Sequence, residues 1–192
     1  MPMDGGQTDV GEVRISGAMV QSNVRAFAEE VGDGAVQRAI ESLPHGQRDA
    51  YNAIARGDWV PASLVDAVFA AIAREAGEDL DRLFPRAVER GLELMLTTVW
   101  RTLARFATDR MLLTRAPAIY ARIYDRGRLE ASFPRRGQAH VVLRGWPNPP
   151  RYRLLAIAAG MRAVLRLAGR GRVSVTFERT DDGAFFFASW QK

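Results

Sequence analysis

The chain has 192 residues, 47% of them hydrophobic, which suffices for one buried core and reads as a single domain over 1–192 with a disordered tail at 1–9. It has no cysteine, so disulfides, thiolate metal sites and cysteine nucleophiles are excluded, and of its 27 basic side chains only Lys192 is lysine. Residues 1–100 carry a net charge of −7 and residues 101–192 one of +12; the halves either neutralise each other through ion pairs or leave a basic half for an acidic protein, a nucleic acid or an anionic lipid surface.

Val10 to Ser16 alternates in polarity and predicts a short strand. Val20, Val24, Phe27 and Val31 recur at helical spacing and predict an amphipathic helix over 18–31, ended by Gly32. Asp33 is a suitable N-cap for a second helix over 34–43, which Pro44 closes, and His45 to Arg56 reads as a third. Pro61 falls where a first helical residue belongs, and Leu64, Val65, Val68, Phe69 and Ile72 give the apolar face of a helix that runs to Gly77. From Pro85 a helix of about six turns carries apolar residues on both sides near its centre, among them Met95, Leu96, Val99 and Trp100, and is the expected core helix. Asp109 and Thr114 each cap a short helix, with Pro117 in the first turn of the second.

The period then changes. Leu129–Phe133 and Ala139–Arg144 read as strands around a Pro-Arg-Arg-Gly turn, and Tyr152–Leu167 reads as a strong helix. Val173–Phe177 and Phe185–Trp190 are strands joined at Asp181-Asp182-Gly183. The predicted fold class is therefore α+β: an N-terminal helical bundle and a C-terminal antiparallel sheet, in the order strand-strand-helix-strand-strand, with helices on one face.

No catalytic constellation is legible. The two histidines, His45 and His140, are far apart in sequence and neither has a second ligand nearby, so no metal site is predicted. Asp79 with Asp81 reads as helix-start charge, and Asp181 with Asp182 as turn chemistry. A phosphate loop needs an internal lysine, which the chain lacks. The start has neither the basic nor the apolar region of a signal peptide, and no apolar stretch reaches the ~20 residues of a membrane span, so the expectation is a soluble, cytoplasmic, non-enzymatic protein.

The opening ISGAMVQSNVRAFAEEVGDGAVQRAI, the segment LTRAPAIYARIYDRGRLEASF and the order of the elements resemble the superfamily of heme nitric-oxide-binding domains and the related vinyl-reductase-type small-molecule-binding domains. The resemblance covers roughly residues 10–190. It implies a sensory or regulatory domain. Heme-binding members present a histidine on the short helix, and the matching position here is Tyr120. They also hold the heme propionates with a Tyr-x-Ser-x-Arg run. The nearest match here is Glu130-Ala131-Ser132-Phe133-Pro134, which retains only Ser132, and an acidic residue there would repel a propionate. The vinyl-reductase-type members place cysteines near the final hairpin, and this chain has none. The reading is a relative that keeps the scaffold and carries no heme or other cofactor.

Trp100, Tyr120 and Tyr124 are the expected lining of a pocket for a small apolar ligand between the long helix and the sheet, where the resemblance places a ligand. The alternative reading of these aromatics is plain core. Arg122, Arg126, Arg128, Arg135 and Arg136 are the expected docking surface for an acidic protein, since arginine forks suit carboxylates. That surface would also serve a scaffold or adaptor acting through protein contacts alone. A homodimer is compatible with either reading. Nucleic acid is disfavoured, because no helix-turn-helix, zinc-finger or RNP-type signature accompanies the charge.

Overall fold

The computed structural model describes residues 12–95 and 114–191. The tail expected over 1–9, Trp100 and the distal part of the long helix lie outside the described residues. The described chain runs β1 (Arg14–Ser16), α1 (Gly17–Val31), α2 (Asp33–Glu41), α3 (His45–Asn52), β2 (Trp59–Pro61), α4 (Ala62–Glu75) and α5 (Leu80–Met95). It then continues through α6 (Ala116–Ile123), β3 (Arg128–Ser132), β4 (Gln138–Arg144), α7 (Arg151–Leu167), β5 (Gly171–Thr180) and β6 (Gly183–Gln191).

The helix starts follow local chemistry. Ser16 caps α1 by accepting from the Met19 amide at 3.3 Å. Pro44, Pro61 and Pro150 occupy the N-cap positions of α3, α4 and α7. For Pro61 this is one place earlier than its expected role as first helical residue. The sequence also starts the core helix too late. It begins at Leu80, capped by the Asp79 carboxylate, which accepts from the Asp81 amide at 2.9 Å. Pro85 lies inside α5, where its missing N–H removes one ladder bond close to the helix start.

The sheet has the strand order β3-β4-β6-β5 and is antiparallel throughout. Alternation sends Leu129, Val141, Leu143 and Phe186 inward to the core, and among the described residues α7 packs against β5 and β6. A second, two-stranded sheet pairs β1 with β2 and was not foreseen. It ties the N-terminus to α4, and an isolated bridge from Ile15 to Tyr124 ties it to the end of α6. Arg14 reinforces that link, its amide and Nε both donating to the Asp125 carboxylate at 2.7 Å.

The core of the helical half is an aromatic column. Phe27 of α1, Phe69 of α4 and Phe84 of α5 have ring centroids 5.0–5.5 Å apart, and Phe84 meets Tyr152 of α7 at 5.5 Å. Phe27 and Phe69 are fully buried, and burial of each such side chain stabilises by about 1.5–3 kcal/mol. No helix among the described residues is long and apolar enough to cross a membrane.

Candidate functional site

The aromatic column leads to a second cluster where the helices meet the sheet. The Tyr120 ring on α6 packs at a tilt against Tyr124, with centroids 4.8 Å apart, and Tyr124 likewise against Trp146 at 4.9 Å. All three are buried. Tyr124 is the extended residue that ends α6, its amide bonded to the Tyr120 carbonyl, and the loop between β4 and α7 brings in Trp146. The Tyr120 hydroxyl donates to the Arg126 carbonyl at 3.1 Å. Gly127, at φ 75°, lets the chain pass that hydroxyl, which would lie 2.7 Å from any Cβ placed there. Burial, followed by the neighbouring Tyr124, pushes the Tyr120 phenol far above its ordinary range, so it stays protonated.

Arg153 of α7 is the one buried charged side chain among the described residues, at 1% exposure. Its Nη2 donates to the Asp66 carboxylate of α4, which also accepts from the Tyr152 hydroxyl. Its guanidinium carbon lies 5.0 Å from the Tyr152 ring centroid. Burial, the largest influence, opposes the charge, and the Asp66 carboxylate is the ionised partner that offsets it. Its Nε is buried without a hydrogen-bond partner among the described residues. Such an orphaned donor is costly and calls for an explanation.

Of the three residues expected to line one pocket, Tyr120 and Tyr124 lie side by side as buried residues, and Trp100 lies outside the described residues. Sequence reasoning missed Tyr152, Arg153, Asp66 and Trp146. The apolar run around Leu154 and Leu155 marked α7 as a core helix, but which arginine it buries depends on the distant Asp66. The Glu130–Ser132 run lies elsewhere. Its polar side chains alternate away from the core, and Glu130 receives Arg128 at 2.8 Å and Arg144 at 3.5 Å.

The five candidate docking arginines do not form one surface. Arg122, Arg126 and Arg128 lie at the end of the sheet next to α6, while Arg135 and Arg136 lie at the far end of the β3–β4 hairpin. A solvent-open cleft of about 300 Å³ lies at the first end, lined by Gly127, Arg128, Arg144, Gly145 and Asp182. Among the described residues no group of three or more histidines or carboxylates is placed to hold a metal.

No protein-family model matches the chain, and no curated protein matches it. Solved structures do. The chain is similar to an Fe(II) unliganded H-NOX protein from K. algicida, with a TM-score of 0.69 and 10% identity over 92% of this chain and 97% of that one. It is similar to an oxygen-binding H-NOX domain related to soluble guanylate cyclases, with a TM-score of 0.64 and 13% identity over 92% and 95%. A Cs H-NOX variant carrying 4-cyano-phenylalanine gives 0.66 and 11% over 92% and 97%. The fold is H-NOX-like across nearly the whole described chain.

The donor set at the junction does not fit heme. The chain has two histidines and no cysteine. His45 lies on exposed α3 beside Asp49, and His140 lies on the outer side of the sheet between Phe185 and Phe187. Among the tyrosines described at the junction, Tyr120 keeps its proton through burial and donates it to the Arg126 carbonyl, and Tyr152 donates to the Asp66 carboxylate. An iron-ligating phenolate would have to give up that proton and its bond.

Proposed function

We propose that this H-NOX-like fold serves as a non-catalytic sensory domain that binds a small, largely apolar molecule at the helix–sheet junction, without heme. The observation that carries this reading is the Arg153 Nε, buried against the Tyr152 ring with no hydrogen-bond partner among the described residues. Asp66 already offsets the guanidinium charge, so the free N–H asks for a neutral acceptor oxygen rather than a second carboxylate. Tyr120, Tyr124 and Trp146 supply apolar walls around it, the usual make-up of a small-molecule site. The same set contains no nucleophile beside a base, so no reaction is assigned to it.

Native mass spectrometry of freshly purified protein tests the reading. A species heavier than the 21.3 kDa chain is expected, and Arg153→Met should remove the adduct while the chain stays folded. Bare chain as the sole species, unchanged by organic extracts of the expression host, would overturn it. Incubation with hemin should give no stoichiometric Soret band, and a stoichiometric band would overturn the heme-free part alone.

A further inference from the structure

The outer face of the four-stranded sheet departs from what an exposed antiparallel face carries. The outward residues of β5 are Ser174, Thr176 and Glu178, as solvent requires. On the two central strands the outward residues are His140 and Val142 of β4 and Phe185 and Phe187 of β6. Phe185 and Phe187 lie 4.5 Å apart, with the His140 ring 5.2 and 5.5 Å from them. Phe187 is 38% exposed. These rings lie on the face opposite the buried Val141, Leu143 and Phe186.

Beyond Phe187 the face becomes hydrogen-bonding and then basic. Ser189 pairs with Gln138 on one side and Ser174 on the other. Past them, the Trp190 amide meets the Gly137 carbonyl and Gln191 pairs with Gly171, so the β3–β4 turn and the start of β5 share one end of the sheet. That end carries Arg135, Arg136, Arg170 and Arg172. The acidic residues of this face, Glu130 opposite Val142 and Glu178 opposite Phe185, lie toward its other end. From Phe187 to the basic end is about 13 Å of strand.

We propose that this face binds single-stranded nucleic acid, with bases stacked on Phe187 and Phe185 and the backbone phosphates held at the Arg135–Arg172 end. Flat rings beside a polyanion-binding end are the two parts such a platform needs. An acidic peptide would satisfy the arginines and leave the rings exposed. The Phe ladder escapes sequence inspection because FFF reads as strand core. Only the register shows that two of the three rings face outward.

The test is fluorescence anisotropy of labelled short oligothymidylate and oligouridylate against the full chain, at about 50 and 200 mM salt. Both oligomers are expected to bind and to weaken steeply with salt, and their ratio tells DNA from RNA. Phe187→Leu, which keeps an apolar side chain and removes the ring, should weaken binding roughly tenfold at both salt concentrations with an unchanged melting temperature. Arg135→Gln with Arg136→Gln should flatten the salt dependence. No anisotropy change up to about 100 μM protein overturns the proposal. So does binding that ignores Phe187→Leu and is fully competed by polyglutamate, which would make the face a plain cation patch. A dimer in sedimentation velocity that Phe187→Leu dissociates assigns the face to a second copy and overturns it too.

Discussion

Tyr120 and Arg153 are the two residues whose chemistry is most altered by the fold. The Tyr120 phenol is raised above its ordinary 10.0 by burial first and Tyr124 second, and Tyr152 is raised likewise, by burial first. A group whose folded-state value is raised contributes stability that is complete below its unfolded value and is lost as pH climbs past it. The protein should therefore lose stability as pH rises above about 10. Tyr120→Phe should cost about 1 kcal/mol at neutral pH, through the lost bond to the Arg126 carbonyl, and should make the alkaline loss shallower. Urea unfolding at pH 7 and pH 11 reads both effects. An equally steep alkaline loss in the variant would show that Tyr120 titrates freely. For Arg153, removing its partner strands a buried charge, so Asp66→Ala should destabilise by roughly 3–5 kcal/mol. Adding Arg153→Met to Asp66→Ala should restore most of that loss, since an apolar side chain of similar length needs no partner. A double variant as unstable as the single one would mean that packing around Asp66, not the stranded guanidinium, sets the cost.

At the scale of elements, α1 shows how tightly the opening is fitted. Gly17 is its first residue, and a methyl group there would overlap the Ala55 carbonyl of the loop before β2. The Gly17 amide also donates to the Asp58 carbonyl at 2.8 Å. Gly17→Ala should destabilise by about 1–3 kcal/mol despite the better helix propensity of alanine, measured by thermal unfolding. A rise in melting temperature would show that the loop yields. Much of the element order was legible because α1, α4 and α7 bury one face each and the last four strands alternate. The misses have a common cause. β2 is three residues long and pairs with β1 across more than forty residues, so no local period announces it. The start of α5 hides behind Pro85, which reads as a beginning although the Asp79 cap lies six residues earlier. The junction was half legible: Tyr120 and Tyr124 lie close in sequence, but Arg153 and Asp66 meet only through the packing of α7 on α4.

Over the whole molecule, the opposite charges of the two halves meet largely along α7. Arg151 reaches Asp81 at 3.5 Å, Arg153 reaches Asp66, and Arg162 and Arg166 straddle Glu89 at 2.9 and 3.3 Å. Each of these pairs joins a carboxylate of residues 1–100 to an arginine of residues 101–192. Charge asymmetry in the sequence is thus in part an intramolecular contact. Glu89 is the best probe, because its side chain is only 26% exposed and serves two arginines one helical turn apart. Glu89→Gln keeps the shape and removes the charge, and should cost about 1 kcal/mol at low salt. Raising salt from about 0.05 to 0.5 M shortens the screening length to a few ångströms, so that penalty should shrink. Glu130→Gln is the internal control. Its partners Arg128 and Arg144 belong to the same half and all three side chains are about half exposed or more, so its cost should be near zero at either salt concentration. A Glu89→Gln penalty that does not change with salt would mean that α7 is held to α5 by packing alone, and that the charges of the two halves coexist without stabilising each other.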